Sequence, residues 1–149
     1  MKGLLFIPKV LIVVFFTNMG TVRESKSLLI AKESTLEIRG TSNVTDFTCQ
    51  YNIRNFDEPM SVNYQSHSDV IRFEKSRMVL KNSCFDCGGK GINKDFNELL
   101  ITEEHTQIVL KLKEIQKRDN KNNKVVALIE IEIAGLSHSY LMETEFLHN

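Results

Sequence analysis

Alternation of apolar and polar side chains recurs along most of the chain and predicts β-strands. A period of two places successive side chains on opposite faces of a strand, so that one face can be buried while the other meets water. The segments with this pattern are residues 36–40, 47–52, 70–74, 77–81, 108–113, 125–133 and 140–146. The last three follow one another with short connections, which predicts an antiparallel meander, because parallel neighbours would need long crossovers.

A different periodicity marks one helix in the middle of the chain. Phe96, Leu99 and Leu100 fall at positions i, i+3 and i+4, which places them on one helical face. Asn93 precedes them and is a residue type that caps helix N-termini well. The spacing predicts a short amphipathic helix over residues 94–101 that packs on the strands.

Seven or eight short antiparallel strands with a single helix define an all-β domain. Such a sheet has to bury its apolar face, either against a second sheet or by closing on itself into a barrel. Periodicity alone does not choose between a sandwich and a barrel. At about eight strands, a closed barrel holds either a packed core or one small ligand.

The N-terminal segment differs from the rest of the chain and predicts export. Lys2 is followed by apolar residues and, after Lys9, by the continuous apolar run 10–16. We interpret residues 1–20 as a secretory signal peptide. A membrane anchor is the competing interpretation, but Lys9 interrupts the apolar stretch well before the ~20 residues that a spanning helix needs.

The remaining chain is long enough for one domain. Of 149 residues, 42% are hydrophobic, which is sufficient for a single core. We expect a polar linker over residues 21–27 and a domain over residues 28–147. After loss of Lys2 and Lys9, 17 of the 19 basic side chains remain against 19 acidic ones. This balance argues against a nucleic-acid partner.

In an oxidising compartment, three cysteines indicate one disulfide and one free thiol, or an intermolecular bridge. Cys49 can pair with Cys84 or with Cys87, and either bridge would join segments that are distant in sequence. A bridge between Cys84 and Cys87 is a third arrangement, although it closes only a small loop. The predicted helix begins several residues after Cys87, so a thioredoxin-type redox site is not expected. Neither a zinc site nor a catalytic motif is present, and we expect no cofactor and no enzymatic activity.

Three segments in this order resemble the YceI-like family. The first is Gly40-Thr41-Ser42-Asn43-Val44-Thr45-Asp46-Phe47-Thr48-Cys49, where the family shows a glycine, small hydroxyl residues and an aromatic residue. The second is Gly91-Ile92-Asn93-Lys94-Asp95-Phe96-Asn97-Glu98-Leu99-Leu100, which is similar to the family's helix. The third is Ile131-Glu132-Ile133-Ala134-Gly135-Leu136, which resembles the element that leads into the final strand.

The resemblance implies an antiparallel, lipocalin-like β-barrel of about eight strands in a periplasmic or secreted protein. Members of the family sequester a polyisoprenoid or another long amphiphile in an apolar lumen, without catalysis. Candidate lining residues follow from strand phase, that is, from which face of its strand each side chain takes in the alternating pattern. They are Phe47, Phe73, Ile108, Leu110, Leu112, Ile129, Ile131, Ile133, Met142 and Phe146.

An alternative function is a ligand-free structural or interaction module with a filled barrel core. Such a module would contact a partner in the cell envelope through exposed apolar side chains. Val126 and Leu128, on the outer phase of their strand, are the candidates for that surface. The sequence leaves open the identity of the ligand and the oligomeric state.

Overall fold

Antiparallel β-structure with one α-helix makes up most of the protein in a computed structural model, which describes residues 22–41, 45–56, 58–118 and 123–145. The regular elements are β1 Val22–Leu28, β2 Glu37–Thr41, β3 Asp46–Tyr51, β4 Met60–His67, β5 Val70–Lys75, β6 Arg77–Lys81, β7 Phe85–Asp86, α1 Lys90–Leu99, β8 Gln107–Lys117, β9 Lys124–Ile133 and β10 Leu136–Glu145. Two short 3-10 turns, Ile53–Asn55 and Asn82–Cys84, complete the set for these residues.

The strands form two antiparallel sheets. The larger sheet has seven strands in the order β1-β4-β5-β8-β9-β10, with β6 also paired to β8. The smaller sheet has the order β2-β3-β7. The predicted meander is confirmed, since β8, β9 and β10 pair in sequence. The turn between β9 and β10 has positive φ at Ala134 and Gly135, 48° and 76°, as two-residue hairpin turns of type I′ require.

Strands β5 and β6 pair with successive parts of the same long strand, β8. Arg72 lies opposite Glu114, whereas Arg77 lies opposite Lys111. Ser76 lies between the two strands and closes the ladder with its side chain. Its hydroxyl donates to the carbonyl of Leu112 at 2.9 Å and accepts from the amide of Leu112 at 2.8 Å. The two short strands therefore follow β8 as one strand that is interrupted at Ser76.

A filled apolar core lies where the small sheet and α1 meet β6 and β8. Its buried members are Cys49, Tyr51, Leu80, Phe85, Cys87, Phe96, Leu100 and Ile108. Phe85 makes edge-to-face contacts with both Tyr51 and Phe96, at centroid distances of 5.0 and 5.4 Å. This region, which we call the filled core, gains most of its stability from apolar burial.

A second, smaller apolar cluster lies at the other end of β8 and β9. Ile115, Val125 and Ala127 are buried there, with Ile71, Phe73, Leu112 and Ile129 packed against them in half-buried positions. Val62 of β4 is also buried at this end, so among the described residues four buried apolar side chains lie here, against eight in the filled core. The interior is therefore densely packed at one end and thinly packed at the other.

The prediction of a linker over residues 21–27 is wrong, because Val22–Leu28 form β1. The strand pairs with β4 along its whole length, and the pairing comes from backbone hydrogen bonds that need no apolar pattern. Its side chains are largely exposed, which explains why the segment is polar. The predicted signal peptide, residues 1–20, lies outside the described residues.

The helix begins four residues earlier than predicted. It runs over Lys90–Leu99 with Gly89 at the N-cap, so that Asn93 lies inside the first turns. The Asn93 side chain instead accepts a hydrogen bond from the backbone amide of Cys87 at 2.6 Å. Phe96 and Leu100 are buried as predicted, whereas Leu99 is 64% exposed.

Candidate ligand cavity

An apolar cavity of about 520 Å³ lies against the thinly packed end of the large sheet. Its lining consists of Lys26, Leu28, Met60, Val62, Tyr64, Ile71, Phe73, Ser76, Arg77, Met78, Leu110, Leu112, Ile115 and Ile129. The volume lies within the range of about 300–1,000 Å³ that is typical of small-molecule sites. An apolar wall with few polar groups is also typical of such sites.

Cross-strand register explains how these side chains reach one space. Residues that lie directly opposite each other in an antiparallel pair project from the same face of the sheet. Leu28 lies opposite Met60 and Leu112 lies opposite Ile129. The lining comes from β1, β4, β5, β6, β8 and β9, six strands of one sheet. A sheet whose six strands border one cavity must be strongly curved.

The filled core forms one boundary of the cavity. Met78 and Leu110 line the cavity and also pack against the filled core. They are directly opposite each other in the pairing of β6 with β8. A molecule in the cavity would therefore rest on these two side chains.

Four of the ten lining residues predicted from strand phase border the cavity, namely Phe73, Leu110, Leu112 and Ile129. The structure places four others in or against the filled core: Phe47, Ile108, Ile131 and Ile133. Met142 lies on β10 and is 47% exposed. Phe146 lies outside the described residues.

Strand β4 contributes three lining residues that the sequence analysis missed. Met60, Val62 and Tyr64 alternate along it and all border the cavity. The period of two is present there, but serine, asparagine, glutamine and histidine fill the other positions and make the segment polar as a whole. The alternation of side chains, taken apart from the polar character of the segment, identifies this strand.

A cluster of three polar side chains, Glu24, Lys26 and Tyr64, lies on the β1 side of the cavity. The Tyr64 hydroxyl donates to Glu24 Oε2 at 2.5 Å, and Lys26 Nζ lies 3.6 Å from the same oxygen. The hydrogen bond from Tyr64 lowers the pKa of Glu24 below its usual range. Lys26 also lies over the Tyr64 ring, 5.8 Å from its centroid. Because Glu24 is ionised at neutral pH, the charge of Lys26 is largely balanced on this side.

A second cavity of about 450 Å³ adjoins the first near Ser76. Four cations and one carboxylate border it: Lys75, Arg77, Lys111, Lys113 and Glu74. Lys111 and Lys113 contact Glu130 at 2.7 and 3.5 Å. The hydrogen bond from Lys111 lowers the pKa of Glu130, which keeps that carboxylate charged at neutral pH.

Two of the three cysteines form a structural bridge within the filled core. Cys49 is bonded to Cys87, one of the pairings predicted, and Cys84 has a free thiol. The bridge joins β3 to the segment that precedes α1. Within residues 22–41, 45–56, 58–118 and 123–145, no three His, Cys, Asp or Glu side chains are grouped to hold a metal ion.

No helix in the part of the chain that the structure describes is long and apolar enough to cross a membrane. Comparison of the chain with family models, with curated proteins and with solved structures finds no match. The resemblance to the YceI-like family therefore stays a prediction, and function has to be argued from the cavity.

Proposed function

We propose that this protein is an exported, non-enzymatic lipid-binding protein that holds a polyisoprenoid or a similar long amphiphile in its apolar cavity. In this proposal the large sheet curves into a lipocalin-like barrel, as the resemblance to the YceI-like family implies. The protein acts as a carrier or buffer in the periplasm or outside the cell. Release and uptake need no covalent chemistry.

The single observation that carries the proposal is the apolar cavity beside the filled core. Apolar side chains from six strands border about 520 Å³ of space that no described side chain fills. Burial of each CH₂ group contributes about 0.8 kcal/mol. About ten such groups would supply about 8 kcal/mol before the cost of ordering the ligand, which is sufficient for a carrier that must also release its ligand.

The disulfide supports the proposed location. Disulfides such as Cys49–Cys87 form and persist in oxidising compartments outside the cytoplasm. This is consistent with export directed by the N-terminal segment. It is independent of the cavity, so location and ligand can be tested separately.

Native mass spectrometry of the exported protein, followed by organic extraction, tests the proposal directly. We expect a stoichiometric adduct that the extract identifies as a long-chain lipid. The Ile71→Trp variant, which places a larger side chain in the cavity wall, should lose the adduct. Leu141→Trp, at a position that is 75% exposed on β10, should keep it. An unliganded mass that does not change on incubation with polyisoprenoids would overturn the proposal.

One observation favours the alternative of an interaction module. All ten residues of β10 are exposed, including Leu136, Tyr140, Leu141 and Met142 at 63%, 49%, 75% and 47%. Exposed apolar side chains of this density mark interaction surfaces. Under this alternative, Leu141→Trp would impair binding to an envelope partner while Ile71→Trp would not.

A further inference from the structure

The large sheet has a gap in its pairing where β5 gives way to β6. Strand β4 pairs with β5 only over Asn63–His67, so its first residues, Met60–Val62, have no ladder partner on that side. Strand β6 pairs with β8 and leaves its other edge without a ladder partner among the described residues. We call the space between Met60–Val62 and Arg77–Val79 the slot.

The apolar cavity and the cationic cavity meet at the slot. They share five lining residues, which are Met60, Phe73, Ser76, Arg77 and Leu112. Met60 and Arg77 belong to the two strand segments that border the slot, and Ser76 is the residue at which β5 is interrupted. A ligand can therefore extend from the apolar space into the cationic one through the slot.

Two cations at the slot have no balancing carboxylate among the residues that the structure describes. Glu130 contacts Lys111 and Lys113, and the one carboxylate in the cationic cavity, Glu74, lies 3.8 Å from Arg23. Lys75 and Arg77 make no ion pair with any of the described residues. The slot therefore carries an excess of positive charge.

The opposite side of the apolar cavity lacks such an excess. Lys26 is the other cation in the lining, and it already lies 3.6 Å from Glu24. An anion entering beside Lys26 would meet that carboxylate. Arg77, in contrast, offers a planar guanidinium that can donate two parallel hydrogen bonds to a carboxylate or a phosphate.

We propose that the ligand carries an anionic oxyanion head group, a carboxylate or a phosphate, which binds Arg77 and Lys75 at the slot while its chain lies in the apolar cavity. This inference rests on the proposed function and specifies the class of amphiphile. The slot is where the head group meets the chain, because the two cavities share their lining residues there. The head group stays at the surface, where its release requires no unfolding.

The test compares three amphiphiles of equal chain length by isothermal titration calorimetry on the full, disulfide-bonded protein. The amphiphiles are hexadecanoate, hexadecyl phosphate and hexadecanol, each below its aggregation limit. We expect each anion to bind at least ~10-fold more tightly than the alcohol, because hydrogen bonds to charged groups are the stronger ones. The preferred anion would distinguish a fatty-acid ligand from a phosphate ester.

A pair of charge-matched variants assigns the effect to the slot. Lys75→Gln with Arg77→Gln should remove the preference for anions, so that the two anions bind no more tightly than the alcohol. Arg72→Gln with Lys117→Gln removes the same charge from β5 and β8 at positions outside both cavities and should keep the preference.

Three results would overturn the inference in distinguishable ways. Equal affinity of the wild-type protein for the anions and the alcohol would reject the head-group site but would still support a lipid-binding cavity. Loss of the preference for anions in both double variants would show that this preference comes from the net charge of the protein and not from the slot. Failure of all three amphiphiles to bind would reject the proposed function itself.

Discussion

Gly40 occupies a position where a side chain has no room. It lies opposite Phe47 in the pairing of β2 with β3, and the ring of Phe47 covers it. A Cβ atom at Gly40 would lie 2.3 Å from Cζ of Phe47. Phe47 also contacts Phe96 of α1, with a centroid distance of 6.3 Å. The glycine thus allows an aromatic side chain to connect the small sheet with the helix.

Gly40→Ala should lower the free energy of unfolding by about 1–3 kcal/mol, because the Phe47 ring must move away from the filled core. Urea denaturation measures the change. Gly91→Ala is the matched control, since Gly91 lies in α1 with open space around it. That variant should be more stable by up to about 1 kcal/mol through helix propensity. Equal effects of the two substitutions would contradict the packing role of Gly40.

Asp86 organises the segment between the disulfide and the helix. Its Oδ1 accepts hydrogen bonds from the Gly88 amide at 3.0 Å and from the Asn93 side chain at 3.1 Å. These two bonds, the Gly88 bond first, lower the pKa of Asp86 below its ordinary value of 3.8. The ionised carboxylate therefore stabilises the folded state.

The stabilisation by Asp86 should depend on pH in the acid range. Because the folded pKa is depressed, the contribution is present above the unfolded value of 3.8 and is lost as pH falls through the folded pKa. Asp86→Asn should therefore flatten part of the fall in stability below about pH 5. Thermal unfolding of both proteins between neutral and acid pH measures this. Parallel curves for the two proteins would exclude a role for the carboxylate charge.

At the scale of elements, the disulfide holds the small sheet to the start of α1. It joins residues 38 positions apart, and both cysteines are buried in the filled core. A bridge over such a loop restricts the unfolded chain considerably. Asn93 supports the same junction, since its side chain binds the backbone amide of Cys87.

Cys49→Ala with Cys87→Ala should lower the free energy of unfolding by about 2–4 kcal/mol. Reduction of the native protein should have a similar effect. Cys84→Ala, which leaves the bridge intact, should cost about 1 kcal/mol or less. Denaturant titration compares the oxidised wild type, the reduced wild type, the double variant and the Cys84→Ala variant. A reduced wild type as stable as the oxidised one would contradict this role of the bridge.

Strand periodicity predicted some elements well and missed others for a physical reason. Strand β9 buries Val125 and Ala127 on one face and was predicted from its alternation, whereas β8 was predicted in the same way although it buries both Ile108 and Val109. Strand β1 pairs through its backbone while most of its side chains face solvent, and its sequence carries no such signal. The N-cap rule selected Asn93, but that side chain binds Cys87 across a turn, a contact that local spacing does not reveal.

At the scale of the molecule, the interior divides into the filled core and the cavity. Leu80 is 2% exposed within the filled core, whereas Leu112 lines the cavity. A side chain beside an open space has lost part of its dispersion contacts already. The same truncation should therefore have different effects at the two ends of the sheet.

Leu80→Ala should lower the free energy of unfolding by about 2–5 kcal/mol, as truncation in a dense core does. Leu112→Ala should cost about 1–2 kcal/mol, because no new enclosed void forms around it. Chemical denaturation of the two unliganded variants compares them. A larger loss for Leu112→Ala would show that its end of the sheet is packed as densely as the filled core.

The sequence by itself determined the mainly antiparallel β-structure, the meander at its end, the helix in its middle and the expectation of one disulfide among three cysteines. These follow from local periodicity and from the chemistry of cysteine. Only the tertiary structure decided that Cys49 pairs with Cys87 and that four of the predicted lining residues border the cavity. Strand phase says which face a side chain takes. What that face meets depends on the curvature of the whole sheet and on strands that are distant in sequence.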